Sequence, residues 1–257
     1  MNNPQKYPDE LNEILENLSV KKIINEVETL YEGKSLEIII AHDLDSHGGF
    51  HWEAEVPTIS VNPRTGINKS NICHELIHAT QFKKGFPFIR SNIYKDKRGK
   101  VVQELVSNLL HINLVKEFNN REISVEEYLS PTIDQIKKEL KKRKKKEVKT
   151  IPFLRIHYDA LVFLRIFYEG KYLSSQEKNY IKLLFKKFSP TAYDLTFELM
   201  NIINKSNPTE PEGCALALLD CLNFLNGSNV TRKIPDFMEN QYVDSLNELK
   251  DKYHAHI

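Results

Sequence analysis

One eight-residue stretch, Asn71-Ile72-Cys73-His74-Glu75-Leu76-Ile77-His78, constrains this chain more than any other. It contains His-Glu-x-x-His. On a helix, residues four apart share a face, so His74 and His78 point the same way. Two imidazoles on adjacent turns can hold one zinc ion. Glu75 falls about 100° further round, beside the metal position rather than on it, where a general base for an activated water belongs. With 9 His and 35 acidic residues in 257, chance placement of such a pattern gives roughly 0.04 matches.

The flanks define a helix. Asn68 is a candidate N-cap, and Lys83-Lys84-Gly85-Phe86-Pro87 is a stop signal of cations, then Gly, then Pro. Between them Ile72, Cys73, Leu76, Ile77, Ala79 and Phe82 leave no wide polar side, so the helix is expected to be buried. Two His and a Glu inside a protein need partners, and a metal supplies them. Cys73 adjoins His74 but points about 100° away, which makes it core packing rather than a ligand.

Composition adds bounds. The net charge of +1 implies no global electrostatic partner. Cys73, Cys214 and Cys221 are odd in number and widely spread, unlike a disulfide framework, and suit a reducing cytoplasm. Residues 1–8 carry no apolar run of the signal-peptide kind, and no stretch approaches the roughly 18 apolar residues of a membrane helix. A cytoplasmic protein with no membrane partner is expected.

In chain order, residues 9–32 read as one amphipathic helix or two short ones, ended by Gly33. Leu36 to Ala41 is a β-rich run. The span 43–49, with Gly48-Gly49, reads as a turn or loop. Between Phe50 and Val61 lie two strand-like pieces broken at Pro57. The expectation is a small, mainly antiparallel sheet, with 58–61 as an edge along which an extended peptide adds. His42, His47 and His51 have no recognisable metal spacing and read as loop or surface residues. Gly99 to Phe118 is helical, with Gln103, Glu104, Ser107, Asn108 and His111 gathered on one polar face.

A catalytic zinc takes a third protein ligand. A third His at the fixed His-x-x-Gly-x-x-His distance is excluded, because those positions hold Gln81 and Lys84. Glu104, Asp96 and His111 are the rival candidates. Glu104 lies on the helix after the His-Glu-x-x-His helix, with Asn108 one turn beyond. In this the span 36–118 resembles the gluzincin zinc metallopeptidases. The resemblance implies a zincin-like α+β fold, zinc on His74, His78 and Glu104, and Glu75 as general base. Many family members carry Asp where this chain has Asn108. The resemblance also implies an oxyanion donor from a helical lobe, for which His157 and Tyr158 are the candidates.

The run Lys137 to Lys146 is strongly basic but lacks aromatic residues, and it reads as a solvated helix end rather than a nucleic-acid contact. Beyond it, helices are expected over 152–169, 175–188 (opened by the capping box Ser174-Ser175-Gln176-Glu177), 191–204, 212–226 and 236–254. Cys214 and Cys221 share an apolar helix face as core residues. The expected organisation is a zincin-like lobe over 1–120 with its small, mainly antiparallel sheet, and an all-α lobe over 121–257. The expected function is a zinc-dependent metallopeptidase acting on a peptide or protein. The alternatives are a regulatory zincin-fold protein directed at a single intracellular partner, and a nucleic-acid-associated protein using residues 137–149.

Overall fold

A computed structural model describes residues 7–44, 46–65, 67–88, 97–142 and 153–227. Asp96, the end of the basic run and the helix expected over 236–254 lie outside them. Two helices open the chain, α1 (Asp9–Glu16) and α2 (Leu18–Leu30). The break falls at Asn17, whose extended backbone and side chain cap α2 by accepting from the Ser19 amide. Gly33, at φ +80°, takes the left-handed turn that ends this region.

Three short strands follow: β1 (Glu37–Ile40), β2 (Gly48–Phe50) and β3 (Thr58–Val61). Their order is β1-β3-β2, with β1 parallel and β2 antiparallel to β3. The sheet is therefore mixed rather than mainly antiparallel. β3 is its central strand, so it offers no edge for a peptide to join; both of its hydrogen-bonding sides are already taken. Gly48-Gly49 lies within β2 and not in a loop. A Cβ on Gly48 would stand 2.9 Å from the Ser60 carbonyl and 3.2 Å from Glu75 Cγ, so only glycine fits the approach of β2 to its neighbours.

Helix α3 (Lys69–Lys83) carries the motif. As expected, the Asn68 side chain caps it, accepting from the Asn71 amide at 2.9 Å, and Gly85 follows its end at φ +87°. Burial is as the residues require: Ile72, Cys73, Leu76, Ile77 and Ala79 are all in the core. Phe82 packs on Phe50 and Trp52 at 5.9 Å between ring centroids, fixing α3 beside β2.

The remaining described elements are helices: α4 (Lys97–Asn120), α5 (Val125–Lys142), α6 (Phe153–Glu169), α7 (Ser175–Phe188), α8 (Pro190–Ile203) and α9 (Pro211–Gly227). A single 3-10 turn, Gly170–Tyr172, follows α6. The Ser174–Glu177 capping box is formed in full at the start of α7. Pro190 occupies the first turn of α8, where its missing N–H costs nothing. No strand occurs after residue 120 among the described residues. Mostly helical with one small sheet, the chain is of the α+β kind.

The chain does not divide at residue 120. One compact unit comprises residues 1–85 with 117–128, and the other 86–116 with 129–257. The first is built on α1–α3 and the sheet, with Val20, Ile23, Val27, Ile59 and Leu76 fully buried. Each such side chain contributes about 1.5–3 kcal/mol. Arg121 in this unit pairs with Glu26 at 2.7 Å and Glu117 at 2.9 Å, while Lys84 reaches Glu26 at 2.8 Å. The second unit has its own core. Leu105, Leu109, Leu161, Leu164, Leu199 and Leu218 sit at its centre, with Cys214 and Cys221 buried among them as expected. No described helix is long and apolar enough to cross a membrane.

Candidate metal centre

On α3, the His74 and His78 rings meet edge to face at 4.4 Å between centroids, with their Nε2 atoms 3.1 Å apart. Two nitrogens bound to one tetrahedral zinc at about 2.05 Å would stand about 3.3 Å apart. The opposite nitrogen of each ring is engaged. His74 Nδ1 lies 2.9 Å from Glu75 Oε1, and His78 Nδ1 lies 2.7 Å from Gln81 Oε1. Both oxygens are acceptors, so each ring places its proton on Nδ1 and leaves a lone pair on Nε2. Two lone pairs facing each other at this distance repel unless a cation lies between them. The donor set therefore fits a metal ion.

The surroundings fix the pair. The Tyr128 ring stacks on His74 at 4.5 Å and 26°, and Phe118 backs Tyr128 edge-on at 6.3 Å. Ser70, at the start of α3, donates to Glu127 Oε2 at 3.0 Å and to the Ser124 carbonyl at 3.0 Å, holding the segment that carries Tyr128. Glu75 is 6% exposed, lying against Gly48 with its Oε1 on His74. His74 and His78 are partly open to solvent. Cys73 is buried, and that burial pushes its thiol up to about 11, in keeping with core packing.

A third imidazole completes the group. One ligating atom from each of His74, His78 and His111 lies within 4.8 Å of the others. His111 is buried on α4, and its Nδ1 donates to Glu169 Oε1 at 2.6 Å. Glu169 is 1% exposed and also forms an ion pair with Arg165, Nε to Oε1 at 3.0 Å. As with the other two rings, the engaged Nδ1 leaves Nε2 for a metal. Among the described residues this is the one group of three or more His, Cys, Asp or Glu with metal-holding geometry.

Glu104, the ligand implied by the family resemblance, is not in that group. It lies seven positions before His111, two turns and about 10 Å along α4. It lines a cavity together with Arg155, Tyr158 and Arg165 instead. His157 is fully buried on α6 and likewise outside the histidine group. Tyr158 faces the same cavity as Glu104. His42 and His51 are exposed and His47 is half-buried, and none joins the metal group. Glu169, Gln81 and Tyr128 had no signal in the sequence. Glu169 acts 58 residues away from His111, and Gln81 reads as one polar residue near a helix end.

No protein-family model, curated protein or solved structure matches the chain.

Proposed function

We propose that the chain is a zinc-dependent hydrolase of peptide bonds, with His74, His78 and His111 as the metal ligands. The supporting observation is the Nε2 pair of α3 at 3.1 Å, each ring with its Nδ1 already engaged, and a third buried His beside it. A zinc ion held there supplies a Lewis acid and lowers the pKa of water toward 7. Glu75 accepts from His74 through Oε1, and its second oxygen takes the proton of the attacking water. As the oxygen–carbon bond forms and the carbon–nitrogen bond breaks, that proton passes to the leaving amine. Peptide as the substrate class rests on the His-Glu-x-x-His pattern and its resemblance to metallopeptidases.

The test is metal analysis of the purified protein together with cleavage of unstructured casein. Glu75→Gln is expected to retain stoichiometric zinc and lose at least about 100-fold in turnover. Equal cleavage by the variant and the parent removes Glu75 as the base.

One observation favours a second reading, a protein that keeps the metal and acts by binding a partner. Glu75 Oε1 sits on the remote nitrogen of His74, the position of a carboxylate that orients a ligand. Stoichiometric zinc in the parent without cleavage of casein selects this reading.

A further inference from the structure

The second compact unit has a partly open cavity of about 170 Å³ among α4, α5, α6 and α7. Its walls carry charges of both signs, and most of them are paired. Arg155 Nε meets Asp159 Oδ1 at 3.0 Å, and Ser189 donates to Asp159 Oδ2 at 2.9 Å. The other end of Arg155 lies 3.8 Å from Glu139. Arg165 is taken by Glu169 at 3.0 Å. Glu104 has no ion-pair partner among the described residues, although it lies at the cavity wall. Counting Glu169, the network holds four carboxylates and two guanidiniums.

Glu104 is half-buried, and a carboxylate partly withdrawn from water is favoured by a cation beside it. Burial, with Glu169 adding to it, holds the Glu104 carboxyl above the ordinary carboxylate range against the opposing pull of Arg165 and Asn108. Burial, and then the Glu104 charge, pushes the Tyr158 hydroxyl up as well, which places that hydroxyl in the same field. A cationic guest is what this cavity lacks. Glu104, Glu139 and the Tyr158 hydroxyl offer three acceptors, matching the three N–H bonds of a primary ammonium. Val162 and Phe185 give an apolar wall for an alkyl stem.

We infer that this cavity is a binding site for a primary ammonium on a short alkyl stem, recognised by Glu104 and Tyr158. The chemistry is shared by a free alkylamine and by a lysine side chain. None of the three histidines lines the cavity, although Glu169 lies between Arg165 at its wall and His111, and the proposal does not depend on the hydrolase reading.

Calorimetric titration of the 257-residue chain with n-butylamine, and with neutral n-butanol as the control, tests it. Saturable binding of the amine alone is expected, weakened at least tenfold in Glu104→Gln. Tyr158→Phe, which keeps the ring, is expected to weaken it less. Tighter binding of Nα-acetyl-lysine-methylamide than of n-butylamine identifies a lysine side chain as the guest, and the reverse order identifies a free amine. The circular dichroism spectrum and melting temperature of Glu104→Gln, measured alongside, are expected to match those of the parent, which shows that the variant is folded. Absence of saturable amine binding, equal binding of butanol, or unchanged affinity in a folded Glu104→Gln overturns the proposal.

Discussion

Gln81 is an uncharged partner for His78, while Glu75 and Glu169 are anionic partners for His74 and His111. An anion behind an imidazole raises its basicity as a ligand, and losing such a partner typically weakens metal binding 10–100-fold. A metal-binding series follows. His111→Ala is expected to lose stoichiometric zinc, Glu169→Gln to bind it 10–100-fold more weakly, and Glu104→Gln to bind as the parent does. Competition against a chromophoric chelator measures all three, and loss of zinc in Glu104→Gln alone would return the third-ligand role to Glu104. The choice between these positions was not legible in the sequence for a geometric reason. Glu104 and His111 sit two turns apart on the same polar face of α4, so periodicity nominates both. Which of them falls in a group with His74 and His78 is a tertiary property and not a local one. The pair His74 and His78 was legible because four-residue spacing on one helix fixes it without any tertiary information.

At the level of elements, α3 is held by its cap, by Phe82 on β2, and by an ion network at its C-terminal end. Burial pushes the Glu26 carboxyl up, but hydrogen bonds from Lys84 and Arg121 and their charges outweigh it, leaving the group below its ordinary value. A depressed carboxylate stabilises the fold fully above its unfolded pKa, and that contribution is lost as pH falls through the folded value. Acid titration of thermal stability is therefore expected to show a loss in the acid range, below the ordinary carboxylate pKa, that Glu26→Gln removes. Its size is about 1 kcal/mol at most, because the network is partly open to solvent. An unchanged acid limb in the variant contradicts the assignment. The helices were the legible elements, since capping residues and prolines mark their ends locally. The sheet was not. Strand order and the pairing of Gly48-Gly49 with β3 arise from contacts between distant residues, and two adjacent glycines carry no β-propensity to announce a strand.

For the whole molecule, a metal that binds the folded chain and not the unfolded one stabilises it by mass action. At a free zinc concentration about 1,000 times the dissociation constant the gain is about 4 kcal/mol. Chelator-treated protein is expected to melt at a lower temperature and to recover on adding back zinc, as scanning calorimetry would record. Identical melting with and without zinc would mean that the three imidazoles hold no metal in solution.

The engaged Nδ1 atoms on α3 carry one more implication. Turning over the His74 or the His78 ring about its Cβ–Cγ bond would break its bond to Glu75 or Gln81 and put the Cε1 carbon where Nε2 now faces its neighbour. Each of these two rings is thus held against inversion, so neither has to turn over to present Nε2 to a cation.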